Sequence, residues 1–552
     1  MPTLTRIARP LLAFALLLLA ALLVIDTLHW PLVGDATLMH YGAFLLDHGF
    51  APYRQIVDIN MPGGILTDWT VIHIFGPGAL AWRLFDFALI AAAAAAMLVI
   101  ARPYGWLGGL FAAVFFFALH IHDGVDQAGE RDLVLAVLLL LACAAIFAAL
   151  RRSASDPTPS LAATWIGVAL FGFLCGAATL IKPTAAAWMA GILVLAIIAM
   201  RSRKQHVAPF IAAACVAFCM PLALALLFLA REHSIHAFFA TVTGLMVYHA
   251  GIDRFPLRFL LTHLVPSALY PVILLWIVLA IAHRHVRGFE GAALLFSVFI
   301  GIVSFVAQGK AFPYHRYPLE AFLFLLIGID AATALQLDPP NAGESTAATR
   351  DAASNADSAR RSMLWQPIAA LAILLFPTFV LAPSWLLRAH RYDWRHDEFK
   401  QSLTADLTQL GGPQLSGQVQ CLDMTAGCLG ALYQLRLVQT TGFLYDCYFF
   451  HQPQNAVTLG LRDAFLADLR RNPPRLIVVS NQNCLGEPLA WPRSDAWPQF
   501  SDWLAAHYSM DIERQPQRMI RWWPVAEFPP AYRIYLRDRE RQRPSAAAFS
   551  EP

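Results

Sequence analysis

The chain has 552 residues, is 58% hydrophobic and only 14% charged, and has a mean hydropathy of +0.53. Soluble domains carry about 25% charged residues, so this composition excludes a water-soluble globular protein and indicates a polytopic membrane protein. A net charge of +3, without a basic cluster interleaved with aromatics, excludes a nucleic-acid partner.

Apolar runs long enough to cross a bilayer recur along the chain. Arg6 and Arg9 precede a first span over 11–30, which no small-residue cleavage site follows, so it reads as a retained helix. Further spans are predicted over 84–100, 104–119, 133–150, 161–181, 184–200, 207–230, 259–282, 289–307 and 318–335. A polar stretch over 337–362 reads as a flexible linker, and a last span follows over 363–381. The prediction is an α-helical membrane protein of about eleven transmembrane helices with a C-terminal soluble α/β domain. Its domains are 1–336, the linker 337–362, a last helix over 363–384 and a terminal domain over 385–552.

Basic residues set the expected orientation. With the N-terminus in the cytoplasm, Arg102, Arg151, Arg152, Arg201 to Lys204, Arg284 to Arg287, Arg360 and Arg361 all fall inside. The segments 31–83, 120–132, 182–183, 231–258, 308–317 and about 385–552 then lie outside. Those outside segments hold most of the chemistry-bearing residues. The first carries Asp35 and Asp58 among Tyr, Trp and Pro/Gly turns, and the second carries Asp126 and Glu130. Cations come later: Lys182 beside Pro183, then Lys310, His315 and Arg316 among aromatics. Any one of these charges is explained by facing water. Their shared sidedness favours one site with an acid as general base and cations as an anion clamp.

The order Asp35, Tyr41, Gly49-Phe-Ala-Pro-Tyr53, Asn60-Met-Pro-Gly63, Phe75-Gly and Ala81-Trp-Arg83 resembles the first outside loop of the polytopic GT-C glycosyltransferases. The resemblance is to bacterial members related to protein mannosyltransferases and the lipid A aminoarabinose transferase, and it spans about residues 10–335. Gly129-Glu-Arg-Asp132 is similar to a motif of the same group. The resemblance implies a sugar donor on a polyprenyl phosphate, an acceptor outside the bacterial inner membrane, and Asp35 as the catalytic carboxylate. It implies a donor-phosphate clamp from Lys182, Lys310, His315 and Arg316. Some relatives use a divalent metal, for which Asp126 and Glu130 are candidates. Two departures stand out: Asp35-Ala36 where many members have Asp-Glu, and Met61-Pro62 where many have Pro-Pro. The first leaves open which acid is the base.

A base needs fixed geometry within about 3 Å of the acceptor oxygen. Asp35 follows the first span closely, whereas Asp58 sits in a turn. The expectation is therefore Asp35 as base, with Asp58, Asp126 or Glu130 orienting the acceptor. A transporter or flippase, or a non-catalytic scaffold, remain the alternatives. Few ionisable residues at mid-depth and no repeat of two halves weigh against transport.

In the terminal domain, strands are predicted over 418–424, 475–480 and 531–536, and helices over 461–471 and 500–508. Its four cysteines, Cys421, Cys428, Cys447 and Cys484, allow three disulfide connectivities. Cys143, Cys175, Cys215 and Cys219 fall in spans and read as core residues.

Overall fold

The computed structural model describes residues 2–155, 161–202, 207–282, 288–335, 356–391, 397–424, 427–482, 496–517 and 530–538, together with 489, 491, 520–521 and 526–527. The chain opens on α1 (Pro2–Thr27), followed by the shorter α2 (Gly34–Asp47) and α3 (Pro62–Phe75). Long helices follow: α4 (Ala79–Ala101), α5 (Trp106–Asp123), α6 (Arg131–Ser155), α7 (Leu161–Ile181), α8 (Thr184–Ser202) and α9 (Ala208–Arg231). Short helices α10 (Ile235–Thr243), α11 (Leu245–Gly251) and α12 (Leu257–Leu261) lead to α13 (Tyr270–Ala282), α14 (Gly288–Gln308) and α15 (Tyr317–Ala334). Helix α16 (Ala356–Phe376) continues through a π-helical stretch, Pro377–Leu381, into α17 (Ala382–Arg391). Ten of these runs are long and apolar enough to cross a membrane, and Ser267–Ala282 is a shorter apolar eleventh.

The predicted spans therefore stand, with local corrections. The eighth is shorter than expected, because Leu257–Leu261 is a separate short helix. The segment over 31–83 is not a loop: it folds into α2 and α3. His120, assigned to the second outside segment, lies within α5. Helix α16 begins at Ala356, inside the range assigned to the linker, while 336–355 lie outside the described residues. Cys215 and Cys219 are exposed on α9, so of the four cysteines in the spans Cys143 and Cys175 are the buried ones.

Burial separates the bundle's centre from its rim. Within the spanning windows, 83% of α5, 78% of α6 and 89% of the Pro313–Ala334 run are buried, against 44% or less elsewhere. The centre is close-packed through glycine. A Cβ on Gly328 of α15 would stand 2.3 Å from the Gly108 carbonyl oxygen of α5. At one end of the bundle Arg9 lies over the Trp106 ring, and Arg151 donates to the carbonyls of Val99 and Ile100 and to Glu290. The opposite end is covered by α2, α3 and the terminal domain.

The terminal domain holds α18 (Glu398–Leu410), α19 (Cys428–Leu435), α20 (Cys447–Phe450), α21 (Ala456–Arg471) and α22 (Pro498–His507). Its strands are β1 (Val419–Leu422), β2 (Leu476–Ser480), β3 (Tyr508–Arg514), β4 (Ile520–Arg521), β5 (Ala526–Glu527) and β6 (Tyr532–Arg537). The main sheet runs β1-β2-β6-β3, with β1 and β2 parallel and β6 antiparallel to both its neighbours. The three predicted strands and two predicted helices are present. Strand β3 was missed, because only its first residue, Tyr508, is buried and it lacks an alternating pattern. Cys421 bonds Cys428, and Cys447 is also disulfide-bonded; Cys484 lies outside the described residues.

This domain is not a separate appendage. Met39, Phe44 and Leu45 of α2 share one hydrophobic core with Leu403, Leu407, Leu432 and Val478. The Tyr41 hydroxyl donates to the Leu437 carbonyl at 2.9 Å and accepts from Gln439 N at 2.8 Å. Val57 bridges Phe443 in the parallel sense. The helix that carries Asp35 thus belongs as much to the terminal domain as to the bundle.

Helices α7 and α9 meet backbone to backbone at Gly172 and Gly176. Added Cβ atoms there would lie 2.1 Å and 2.2 Å from the carbonyl oxygens of Ala214 and Phe218. Small residues four apart permit this approach. Gly176→Leu should force the helices apart, at a cost of about 1–3 kcal/mol or more. Thermal unfolding of the purified protein should show a clear drop in Tm. Gly460→Ala, where nothing lies within 4 Å of the added carbon, should show none.

Candidate active site

The site is built on a buried carboxylate in α4. Arg83 Nη1 donates to Asp86 Oδ2 at 2.6 Å, His120 Nε2 lies 3.2 Å from Oδ2, and Gly129 N donates to Oδ1 at 2.6 Å. Arg83 also donates to Thr27 Oγ1 at 2.8 Å, and His120 Nδ1 stands 2.8 Å from the Tyr317 hydroxyl. Trp82 Nε1 donates to the Ala128 carbonyl at 2.7 Å. A Cβ on Gly129, at φ +65, would stand 2.4 Å from the Trp82 ring, so only glycine fits. These bonds fix the segment between α5 and α6, and so the position of Gly129-Glu-Arg-Asp132.

That motif distributes its side chains to different partners. Arg131 Nη2 donates to Asp35 Oδ2 at 2.9 Å. Asp132 takes both its oxygens to Lys182 Nζ, at 2.6 and 2.8 Å, and Lys182 donates further to Gln308 Oε1 at 2.6 Å. Glu130 is buried, and burial with the nearby Asp35 charge raises its carboxyl well above the usual range.

Asp35 sits in the first turn of α2, where a carboxylate is favoured by the helix dipole. Its side chain is 36% exposed, against 3% for Glu130 and 4% for Asp132, and among the described residues no hydrogen bond is made by Oδ1. Gly34, at φ +56, brings the chain against Asp126: a Cβ there would lie 3.2 Å from Asp126 Oδ1. Helix α2 is tied to α3 by His40, whose Nδ1 lies 2.8 Å from Asp68 Oδ1, both buried.

Asp58 faces the same region from the other side. Its Oδ1 accepts from Asn60 N at 3.0 Å and Asn60 Nδ2 at 2.6 Å, a fixed turn rather than a mobile one. Burial raises its carboxyl above the usual range, against the Asn60 bonds and the Arg131 charge.

The cations divide into two groups. Lys182, Arg131, His249 and Lys310 all act electrostatically on His315, which is buried and whose Nδ1 has no hydrogen-bond partner. Lys310 donates to the Ile252 carbonyl, and burial lowers its ammonium below the usual range. Burial, then the charges of Lys310 and Arg131, push His249 down to about 4. Arg316 stands apart. It pairs with Asp123 at 2.8 Å and Glu320 at 3.3 Å, on the far side of the Pro313–Arg316 turn. Of the expected clamp of four cations, Lys182 and Lys310 both act on His315, while Arg316 is paired with Asp123 and Glu320.

The terminal domain completes the wall. The Tyr448 hydroxyl stands 3.2 Å from His249 Nδ1, and its ring lies 5.0 Å from that of Tyr445. Burial and the Asp35 charge both push the Tyr445 hydroxyl above its usual range. The candidate metal ligands do not assemble: among the described residues no three His, Cys, Asp or Glu side chains stand close enough to hold an ion.

The fold has solved counterparts. ArnT from Cupriavidus metallidurans in the apo state superimposes with a TM-score of 0.56 at 15% identity, covering 96% of this chain and 98% of that one. ArnT bound to undecaprenyl phosphate gives 0.54 at 15% identity, over 94% and 97% of the two chains. The archaeal oligosaccharyltransferase AglB from Archaeoglobus fulgidus, in complex with an inhibitory peptide and a dolichol-phosphate, gives 0.52 at 12% identity, over 93% and 74%. The chain thus shares its fold with ArnT and with AglB. No family model and no curated protein sequence matches the chain.

Two site features were invisible in the sequence as roles. Arg131 and Asp132 stood inside a quoted motif, but nothing local named Asp35 and Lys182 as their partners. Tyr445 and Tyr448 lie about four hundred residues from Asp35 and carry no motif.

Burial first, and the Asp35 charge second, push the Asp126 carboxyl up to about 6. An unfolded aspartate titrates near about 3.9, so the folded chain holds this proton more tightly. The stabilisation is complete below about pH 4 and is lost as pH rises through about 6. Asp126→Asn, which cannot ionise, should raise Tm at pH 7.5 and change it little at pH 4. A variant with equally altered Tm at both values would contradict this.

Proposed function

We propose that the protein is a membrane glycosyltransferase that moves a sugar from a polyprenyl-phosphate donor to an acceptor on the outer face of a bacterial inner membrane. The observation that carries the reading is the Asp35–Arg131 pair. One carboxylate oxygen is anchored at 2.9 Å while the other makes no hydrogen bond among the described residues, in an acid whose side chain is 36% exposed. A group so held can take a proton without moving. The counterparts of the same fold support the donor class, since one was solved with undecaprenyl phosphate and another with a dolichol-phosphate.

In this reading Asp35 Oδ1 accepts the proton of an acceptor hydroxyl as its oxygen attacks the anomeric carbon. The bond from that carbon to the phosphate oxygen breaks, and the pair of electrons leaves with the lipid phosphate. Lys182, Lys310 and His315 face the leaving group, whose charge a cation holds more strongly in a water-poor site. Glu130, its carboxyl raised well above the usual range by burial, is suited to hydrogen-bonding the sugar or acceptor as a neutral group, and Asp126 orients the acceptor beside Asp35. Asp58, fixed by Asn60, orients the acceptor. Tyr445 and Tyr448 present aromatic faces of the kind that pack against a sugar ring. The bundle end bearing Arg9, Arg102 and Arg151 is assigned to the cytoplasm by its basic residues, which puts the site and the terminal domain outside.

Purified protein should consume at least one donor of a polyprenyl-phosphate sugar panel. Asp35→Asn should lower turnover by about 10² to 10⁴ while donor affinity stays near normal. Lys182→Gln, which keeps a donor for Asp132, should weaken donor binding about tenfold or more. If Asp35→Asn keeps its rate and Asp58→Asn does not, the base is Asp58; if both keep it, the enzymatic reading of this site fails.

A further inference from the structure

The Pro313–Arg316 turn separates two spaces. Tyr314 and His315 turn toward the Asp35 and Lys182 side, whereas Arg316 turns to a cavity of about 460 Å³ between the outer ends of α5 and α17 and the residues leading into α13. Successive residues of a 3₁₀ turn point about 120° apart, so one turn serves both. Arg316, Arg388, His122, Ser267 and Trp385 line this second space.

Its electrostatics are asymmetric. Arg316 is compensated by Asp123 at 2.8 Å and Glu320 at 3.3 Å, which also fix its guanidinium. Arg388 has no carboxylate within 4 Å among the described residues, and its nearest polar side chain is His122, 3.5 Å away. The cavity therefore carries an uncompensated positive charge beside a pre-positioned guanidinium. Its setting is the edge of the apolar bundle. Leu387, next to Arg388, is 58% exposed, while Trp385 is buried against Phe115 and His122. Exposed leucine beside arginine and tryptophan at a helix end is the composition of a lipid–water boundary. Basic pockets between spanning helices at that depth suit lipid head groups.

We propose that this cavity binds the phosphate of a membrane lipid, at a site separate from the Asp35 centre. Arg388 supplies the free charge, Arg316 the fixed hydrogen-bond donor and Ser267 a hydroxyl, with the lipid chain running down the exposed face of α17. This binding does not require that the chain transfer sugars, and its test involves no turnover.

Full-length protein in detergent is titrated with a short-chain polyprenyl phosphate, with phosphatidylglycerol and with phosphatidylcholine, and bound lipid is counted by native mass spectrometry. Wild type is expected to hold a phosphate lipid that Arg388→Ala and Ser267→Asp retain about tenfold more weakly, and that Arg388→Lys partly restores. If the Arg388-dependent adduct forms with polyprenyl phosphate alone, the source is an isoprenoid carrier; if it forms with phosphatidylglycerol as well, the source is bulk anionic lipid. Equal retention by wild type, Arg388→Ala and Ser267→Asp, or equal uptake of phosphatidylcholine, overturns the proposal. Asp35→Asn, which should keep this adduct while losing turnover, separates failure here from failure of the transferase reading.

Discussion

Asp86 is the constraint on which the site rests. A carboxylate with no exposure inside a helical bundle is expensive unless its oxygens are satisfied. Here Arg83, His120 and the Gly129 amide satisfy them, and each draws in a different element: α4 itself, α5, and the segment before α6. Because Gly129 is tied down, the next three residues leave from a fixed point. Arg131 then reaches Asp35, and Asp132 reaches Lys182. One buried charge in the membrane thus determines where two polar pairs stand above it, although it touches neither.

The spans were legible because their signal is local: an apolar run bounded by arginine needs no partner to be recognised. Helices α2 and α3 were not, for the opposite reason. Their apolar residues are explained by contacts with residues beyond 400, and Tyr41 finds its partners at 437 and 439. The site was half legible. Residue type and sidedness selected Asp35, Asp126, Glu130 and Lys182, which the fold brings to one region. The same reasoning placed Arg316 with Lys310, and the structure pairs Arg316 with Asp123 and Glu320. A sequence shows that a cation occupies a short turn, but not which side of the turn it takes. The metal question divides similarly: acids in number suggested ligands, and the guanidinium among them gives Asp35 a different partner.

The acids of the site are set apart from one another by burial rather than by residue type. Glu130 and Asp126 are shielded and hold their protons to higher pH, while Asp35 is open and braced by Arg131. The terminal domain adds to this shielding through Tyr445 and Tyr448, whose hydroxyls lie under the influence of Asp35. Bundle and domain are in this respect two halves of one enclosure.

The Tyr41 hydroxyl bonds a backbone carbonyl 396 residues away. Contacts of that separation form late, since the intervening chain must be made and loop closure must be offset before the contact contributes. The spanning helices can insert one after another as the chain emerges, but α2 cannot bury Phe44 and Leu45 until the segment around Leu432 arrives. Assembly order therefore carries its own safeguard. A half-made chain sits in the bilayer without the wall that Tyr445 and Tyr448 supply, and α2 is held on both sides only when the last domain docks.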